Sequence, residues 1–233
     1  ESSDKRRGFF SLNALWKNKM AVLVGDFLLS KGMLLCIDND DFDLLKIISK
    51  SVKDMSQGEL LQIEKARRLD IDEEIYYEII TKKTASLIAS CCALGVAAAN
   101  GSKKEINAFE QIGKKIGIAF QLKDDLFDYG TKKIGKPTGI DLREKKLTLP
   151  FIYALNNSSK SKRKWLINSV KNSDENAIRE IIKYVIDIGG IDYTQKQIKK
   201  FYNSALKDLD QFEESEYTNS LKKLIKYVIE REY

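Results

Sequence analysis

Histidine is absent from the 233 residues, proline occurs twice and cysteine three times. Without histidine the chain cannot assemble a His-based nucleophilic triad, use an imidazole as general base or hold a metal through imidazole nitrogen. Its chemistry therefore falls to carboxylates, Lys, Arg and amides. Both prolines, Pro137 and Pro150, lie in one segment, so the apolar-periodic stretches elsewhere run without a helix breaker. Strand-like alternation is scarce, and the two absences together predict an all-α protein. The odd number of cysteines, with Cys91 and Cys92 adjacent in the small-residue run ASCCALGVAAA and Cys36 apart, argues against a disulfide framework. It reads instead as reduced, buried thiols in a cytoplasmic protein. No stretch approaches the ~20 apolar residues of a membrane-spanning helix, and no signal peptide is visible.

What is present is a chain long enough for one domain with a substantial core, 43% hydrophobic and without a Gly/Ser or Pro linker. The net charge of +6 raises nucleic acid as a partner, with KSKRKW at 160–165 as the candidate patch. Against it, 34 acidic residues are interleaved with 40 basic ones, and the basic runs lack aromatic interleaving on one face. Solvated helix faces account for the lysines, and no nucleic-acid partner is expected.

Periodicity predicts a long helix over about 12–36, a polar turn at IDNDD, and a helix from about Phe42 that is kinked before Gly58-Glu59. A third long helix starts near Asp70, capped by DIDE with Glu73 at its third position, and ends near Asn100-Gly101. The small residues at its end let a neighbour approach closely. A fourth helix begins at a capping box, Ser102 to Glu105, and stops at Tyr129-Gly130. After an irregular link come shorter helices at about 150–156, 161–171, 175–188, 191–213 and 216–231. The acidic run IDNDDFD lies in a turn and is expected to cap a helix rather than hold a metal.

The fourth helix ends in FQLKDDLFDYG, which puts Asp124, Asp125 and Asp128 on one face of its last turn. The macrodipole disfavours anions there, and like charges at i,i+4 cost a further ~0.2–0.5 kcal/mol each. Something positive must compensate. Carboxylates without His or Cys partners suit a hard cation such as Mg²⁺, which takes one or two carboxylates, keeps several waters and completes its shell with phosphate oxygens. Isolated cations stand in unusual settings that fit such a phosphate: Arg6-Arg7-Gly8 before a helix, Lys82-Lys83-Thr84 inside the third helix, and Gly135-Lys136 and Lys146 in the irregular link. Together with the aspartate face they form a candidate diphosphate site.

At these residues the chain resembles the trans-isoprenyl diphosphate synthases, or polyprenyl synthetases. FQLKDDLFDYG looks like the family's second aspartate-rich motif. RRG at 6–8, VGDFLLS at 24–30, GELLQ at 58–62, KT at 83–84 and GKPTGIDLREKKLTLP at 135–150 stand in family order. The resemblance implies the isoprenoid synthase helical bundle around a central cavity, as a single domain over 1–233, and a homodimer. It implies Mg²⁺-dependent condensation of isopentenyl diphosphate with an allylic diphosphate, with Mn²⁺ as a substitute. By similarity Asp124 is the first candidate for metal ligation, with Asp125 and Asp128 as ligands or support, and Gln62 binds through a metal-bound water. Lys83, Lys136, Lys146 and Arg6 would neutralise the allylic diphosphate, Arg7 would hold isopentenyl diphosphate, and Thr84 and Gln121 would aim oxygen dipoles at the allylic cation. The GELLQ and KKLTLP variants look like those of medium- and long-chain bacterial synthases, whose product partitions to the membrane. The family's first aspartate-rich motif stands just before RRG, whereas this chain opens ESSDKRRG, so a segment carrying that motif is expected to precede Glu1 in the full-length protein. The alternative is a non-catalytic helical subunit that modulates a related synthase.

Overall fold

The computed structural model describes residues 5–6, 9–130, 138–172 and 175–231. The chain forms two compact units, Glu1–Ser49 and Lys50–Tyr233.

In the first unit β1 (Lys5–Arg6) pairs antiparallel with β2 (Phe9–Phe10), Arg6 opposite Phe9. Arg6 thus lies in a strand pair that precedes the helix. Ser11 then caps α1 (Leu12–Asp38), its Oγ accepting from the Ala14 N–H at 3.1 Å. Lys17, with φ 66°, kinks α1 near its start. The turn at IDNDD closes through Asp41 N–H donating to the Cys36 carbonyl at 2.8 Å, with Asp40 in the left-handed region. Asp43 stands in the first turn of α2 (Phe42–Arg68), where the helix dipole favours an anion.

Among the described residues two helices reach, by length and composition alone, what a membrane crossing requires: Ala14–Asp38, with a mean hydropathy of 1.9, and Glu73–Ala98, with 1.4. This corrects the sequence expectation that no stretch approaches the length and apolarity of a membrane-spanning helix. Between Met20 and Ile37 the only charges are Asp26 and Lys31.

In the second unit α2 runs unbroken through Gly58, so the expected kink is absent. Gly58 is buried, and a Cβ there would lie 2.5 Å from the Lys83 backbone nitrogen. The glycine serves a close helix approach. The next helix starts at Asp72 rather than Asp70: Asp72 Oδ1 accepts from Ile75 N–H at 2.8 Å, while Asp70 pairs with Lys65 at 3.4 Å. It comprises α3 (Glu73–Ile80), a π-helical segment (Thr81–Ala85) and α4 (Ser86–Ala98). Cys92 is half-buried and its thiol is pushed up to about 11 by burial, whereas Cys91 is exposed, contrary to the expectation of buried thiols.

Helix α5 (Lys103–Phe127) begins at the expected capping box, Ser102 N–H donating to Glu105 at 2.7 Å and Glu105 N–H to Ser102 Oγ at 3.3 Å. Its small residues meet the small residues of the preceding helix. A Cβ on Gly117 would lie 2.5 Å from Ala85 Cα, and one on Gly113 2.8 Å from Ala89 Cα. Backbone cannot yield as a flexible side chain does, so Gly117→Val is expected to lower stability by ~1–3 kcal/mol in denaturant melts. Gly95 on α4 has nothing within 4 Å of an added Cβ. There Gly→Ala should raise stability by ~0.5–1 kcal/mol, because only the backbone entropy of the unfolded chain changes.

The remaining helices are α6 (Ile140–Arg143), which sequence reasoning missed inside the irregular link, α7 (Leu149–Asn156), α8 (Lys160–Asn172), α9 (Glu175–Asp187), α10 (Gly190–Leu209) and α11 (Glu216–Glu230). Gly139 precedes α6 at φ 78°, and a Cβ there would lie 2.5 Å from Ile178 Cγ2, so both conformation and space call for glycine. One core gathers Leu122, Leu126, Leu142, Phe151, Ile152 and Ile178 around the C-terminal half of α5. A second joins Ile112 and Ile116 to Ala205, Leu209 and Ile225 of α10 and α11. Helix α5 is therefore packed along its length, up to the turn where the aspartates lie.

Candidate active site

The three aspartates do not share one face. Asp125 is a step of about 100° from Asp124 around the helix, and its side chain is 1% exposed, turned into the core. Its Oδ2 accepts from the Tyr76 hydroxyl at 2.6 Å, and its Oδ1 from Gln121 Nε2 at 2.8 Å and Lys146 Nζ at 3.3 Å. Gln121 Oε1 in turn accepts from Thr84 Oγ1 at 2.8 Å. Lys146 reaches a second carboxylate, Asp141 Oδ1, at 3.2 Å. A continuous polar line thus runs from Thr84 through Gln121, Asp125 and Lys146 to Asp141. Burial works against the charge on Lys146, yet Asp125 and Asp141 hold it protonated well above the usual lysine range. Burial also pushes Asp141 up to about 7, against the pull of Lys146. The Tyr76 hydroxyl is raised by burial and by the Asp125 charge, which keeps it a donor.

Asp124 and Asp128 are i,i+4 neighbours and remain on one face. Asp124 is 41% exposed and its Oδ1 accepts from the Arg231 guanidinium. Asp128 is held by the start of α6, Oδ1 accepting from Ile140 N–H at 2.8 Å and Oδ2 from Asp141 N–H at 3.1 Å. Burial raises its carboxyl above the usual range, opposed by those two N–H donors. The positive charge that compensates the aspartates is therefore divided: Lys146 serves the buried Asp125 and Arg231 serves Asp124.

The π segment places the other predicted residues. Its wider turn at Thr81–Ala85 directs Lys83 toward α2, where it forms an ion pair with Glu59 and donates to Gln62 Oε1 at 3.4 Å. Lys82 makes an i,i+4 pair with Glu78 at 2.7 Å. Such π segments recur at functional sites, since one extra residue re-aims neighbouring side chains. Beside Lys146 lies a cleft of about 430 Å³ lined by Gln62, Ala66, Arg67, Glu144 and Lys145 among others. The structure thus brings together Gln62, Lys83, Thr84, Gln121, Asp124, Asp125, Asp128 and Lys146. Arg7, Lys136 and the side chain of Arg6 lie outside the described residues. Tyr76, Asp141 and Arg231 belong to the same assembly and were missed. Asp141 lies within a motif stretch, but Tyr76 and Arg231 carry no local signal.

No group of three or more acidic, His or Cys side chains is set to hold a metal among the described residues. The donor set fits a more modest demand. Asp124 and Asp128 present all-oxygen donors at i,i+4 beside solvent, which suits Mg²⁺ held by one or two carboxylates with water and phosphate oxygens. Asp125, already accepting three hydrogen bonds, fits a supporting role that orients its neighbours.

Residues 1–188 match the family model for polyprenyl synthetase. The chain is 34% identical over 239 residues to a short chain isoprenyl diphosphate synthase of Methanothermobacter thermautotrophicus, covering 100% of this chain and 74% of that protein. To an all-trans-nonaprenyl-diphosphate synthase of Rhodobacter capsulatus it is 33% identical, covering 99% and 71%. The crystal structure of a decaprenyl diphosphate synthase from Rhodobacter capsulatus superposes with a TM-score of 0.92 at 32% identity, covering 98% of this chain and 72% of that one. That of a polyprenyl synthase from Caulobacter crescentus, complexed with calcium and isoprenyl diphosphate, gives 0.89 at 29% identity, covering 99% and 72%. The all-α bundle, the aspartates closing α5 and a family match across four-fifths of the chain have one reading: the chain belongs to the polyprenyl synthetase family.

Proposed function

We propose that this prenyltransferase, acting as a polyprenyl diphosphate synthase, condenses isopentenyl diphosphate head to tail with an allylic diphosphate and releases diphosphate. The observation that carries the site assignment is the Asp124/Asp128 pair beside solvent at the end of α5, with Lys146 on the adjoining Asp125 and Lys83 donating to Gln62, which lines the same cleft as Lys146. Bound Mg²⁺ would be held by Asp124 and Asp128 and would supply Lewis-acid stabilisation of the diphosphate leaving group. Lys83, Lys146, Lys136 and Arg6 supply further positive charge to its oxygens as the C–O bond breaks. Thr84 Oγ1 and Gln121 Oε1 lie within one hydrogen-bonded pair and offer oxygen dipoles to the allylic cation. The double bond of isopentenyl diphosphate, positioned through Arg7, attacks that cation, and the proton then lost goes to the departing diphosphate, so no histidine is needed. Gln62 stands beside Lys83, where it can bind a metal-bound water.

The reading takes residues 1–233 as one synthase domain of a cytoplasmic homodimer, with Mn²⁺ able to replace Mg²⁺. The family match across both compact units supports the single domain. The relatives named above are synthases, and nothing in them favours a non-catalytic subunit. The product is read as longer than three isoprene units.

Turnover of the full-length protein with both diphosphates, with and without chelator, tests the reaction. Retained turnover in excess EDTA, or no chain-extended product with Mg²⁺ present, would sink it. Two separate diphosphate sites further predict that Arg7→Ala raises KM mainly for isopentenyl diphosphate and Lys136→Ala mainly for the allylic partner. Equal effects on both substrates would mean one shared site.

A further inference from the structure

The last turn of α5 carries a contact that the reaction does not require. Arg231, just past the end of α11, places its guanidinium on Asp124 Oδ1 and stacks at 4.1 Å from the Phe120 ring centre and 5.5 Å from that of Phe127. All three partners lie on the same stretch of α5, one turn apart. The side chain is 14% exposed although it ends a surface helix, so it is seated rather than loose. Its Nε is buried without a hydrogen-bond partner. An orphaned buried donor costs ~1–3 kcal/mol, more on a charged group, so this seat is not one in which the guanidinium is fully satisfied. Helix α11 packs on α5, and the Arg231 N–H donates to the Tyr227 carbonyl at 2.9 Å, closing the helix end onto the site.

We propose that Arg231 is a place-holder for the metal: its guanidinium holds the Asp124 carboxylate and is displaced when a divalent cation binds there. The inference rests on the reading that Asp124 is a metal ligand. The physical reason is competition for one carboxylate charge. A carboxylate at a helix C-terminus without a counter-charge is destabilised by the macrodipole and by Asp128 one turn on. A guanidinium supported on two aromatic faces supplies that charge. A cation ligated by that carboxylate stands close to the guanidinium, and the two positive charges repel across one carboxylate. The contact thus weakens metal binding, and metal binding loosens the end of α11. Coupling of this kind is reciprocal.

The test uses the full-length protein, Mn²⁺ as a spectroscopic probe and inorganic diphosphate, with free Mn²⁺ read by electron paramagnetic resonance. Arg231→Gln is expected to bind Mn²⁺ about threefold to tenfold more tightly than wild type, the change expected on losing one partly exposed charge-assisted contact. Asp124→Asn should bind more weakly, and adding Arg231→Gln to it should bring no further gain. Unchanged or weaker binding by Arg231→Gln, with Asp124→Asn still impaired, overturns the place-holder role while leaving the metal assignment standing. Wild-type binding by Asp124→Asn overturns the metal assignment and the place-holder with it. Should Arg231→Gln fold poorly, amide exchange on the wild type decides the question. Mn²⁺ with diphosphate should speed exchange at residues 228–231, and unchanged or slowed exchange there would refute the displacement.

Discussion

Asp124→Asn is expected to cut Mg²⁺-dependent turnover by about a hundredfold or more, since removing a direct metal ligand forfeits several kcal/mol of leaving-group stabilisation and each ~1.4 kcal/mol is tenfold in rate. From the sequence alone, removing one of three like charges at a helix C-terminus should leave stability unchanged or slightly raised. The structure removes that gain. Asp124 already has its counter-charge in Arg231, so the substitution exchanges a charge-assisted contact for a neutral one. A thermal melt equal to wild type or lower by a degree or two is expected, beside the loss of turnover. Full activity with undiminished Mg²⁺ dependence would refute the assignment of Asp124.

Lys146→Met should have the largest effect on stability. Lys146 is the cation shared by Asp125, 1% exposed, and Asp141, 19% exposed. Removing it strands buried carboxylates without their counter-charge, at a cost of ~3–5 kcal/mol. The loss should depend on pH in a definite direction. Burial raises Asp141 to about 7 even with the lysine present, against 3.8 for an unperturbed aspartate. Its folded form therefore holds a proton that the unfolded chain releases, and this contribution is fully present below the unfolded value and lost as pH rises through about 7. Without the lysine Asp141 rises further, so the variant should lose most stability above neutrality and recover part of it toward pH 5. Urea unfolding in EDTA at several pH values measures this. A deficit that stays constant from pH 5 to 8 would mean that the carboxylates are not what the lysine holds in place.

Much of the architecture was legible because its causes are local. The capping box at Ser102 and Glu105, the small-residue stripe that meets Gly113 and Gly117, and the order of the motifs all depend on residues a few positions apart. Such signals survive in a linear reading, and they led correctly to an all-α synthase. Local reading also erred where two local explanations compete. Gly58 could break a helix or admit a neighbour, and Asp70 and Asp72 could each cap one. Only the approach of the Lys83 backbone, and the Asp70 pair with Lys65, chose between them.

The division of labour among the aspartates was decided by tertiary structure alone. Tyr76 meets Asp125 across 49 residues and Arg231 meets Asp124 across 107. Contacts so distant leave no periodic or compositional trace. The helical period places three carboxylates within one arc but does not say which part of the arc faces the core. That is determined by what packs there: α3 and the loop carrying Lys146 enclose Asp125, while α11 brings a cation to Asp124. The sequence by itself determined that acidic groups gather at the end of α5 and that cations must answer them. Which cation answers which carboxylate follows from burial and from the convergence of distant helices.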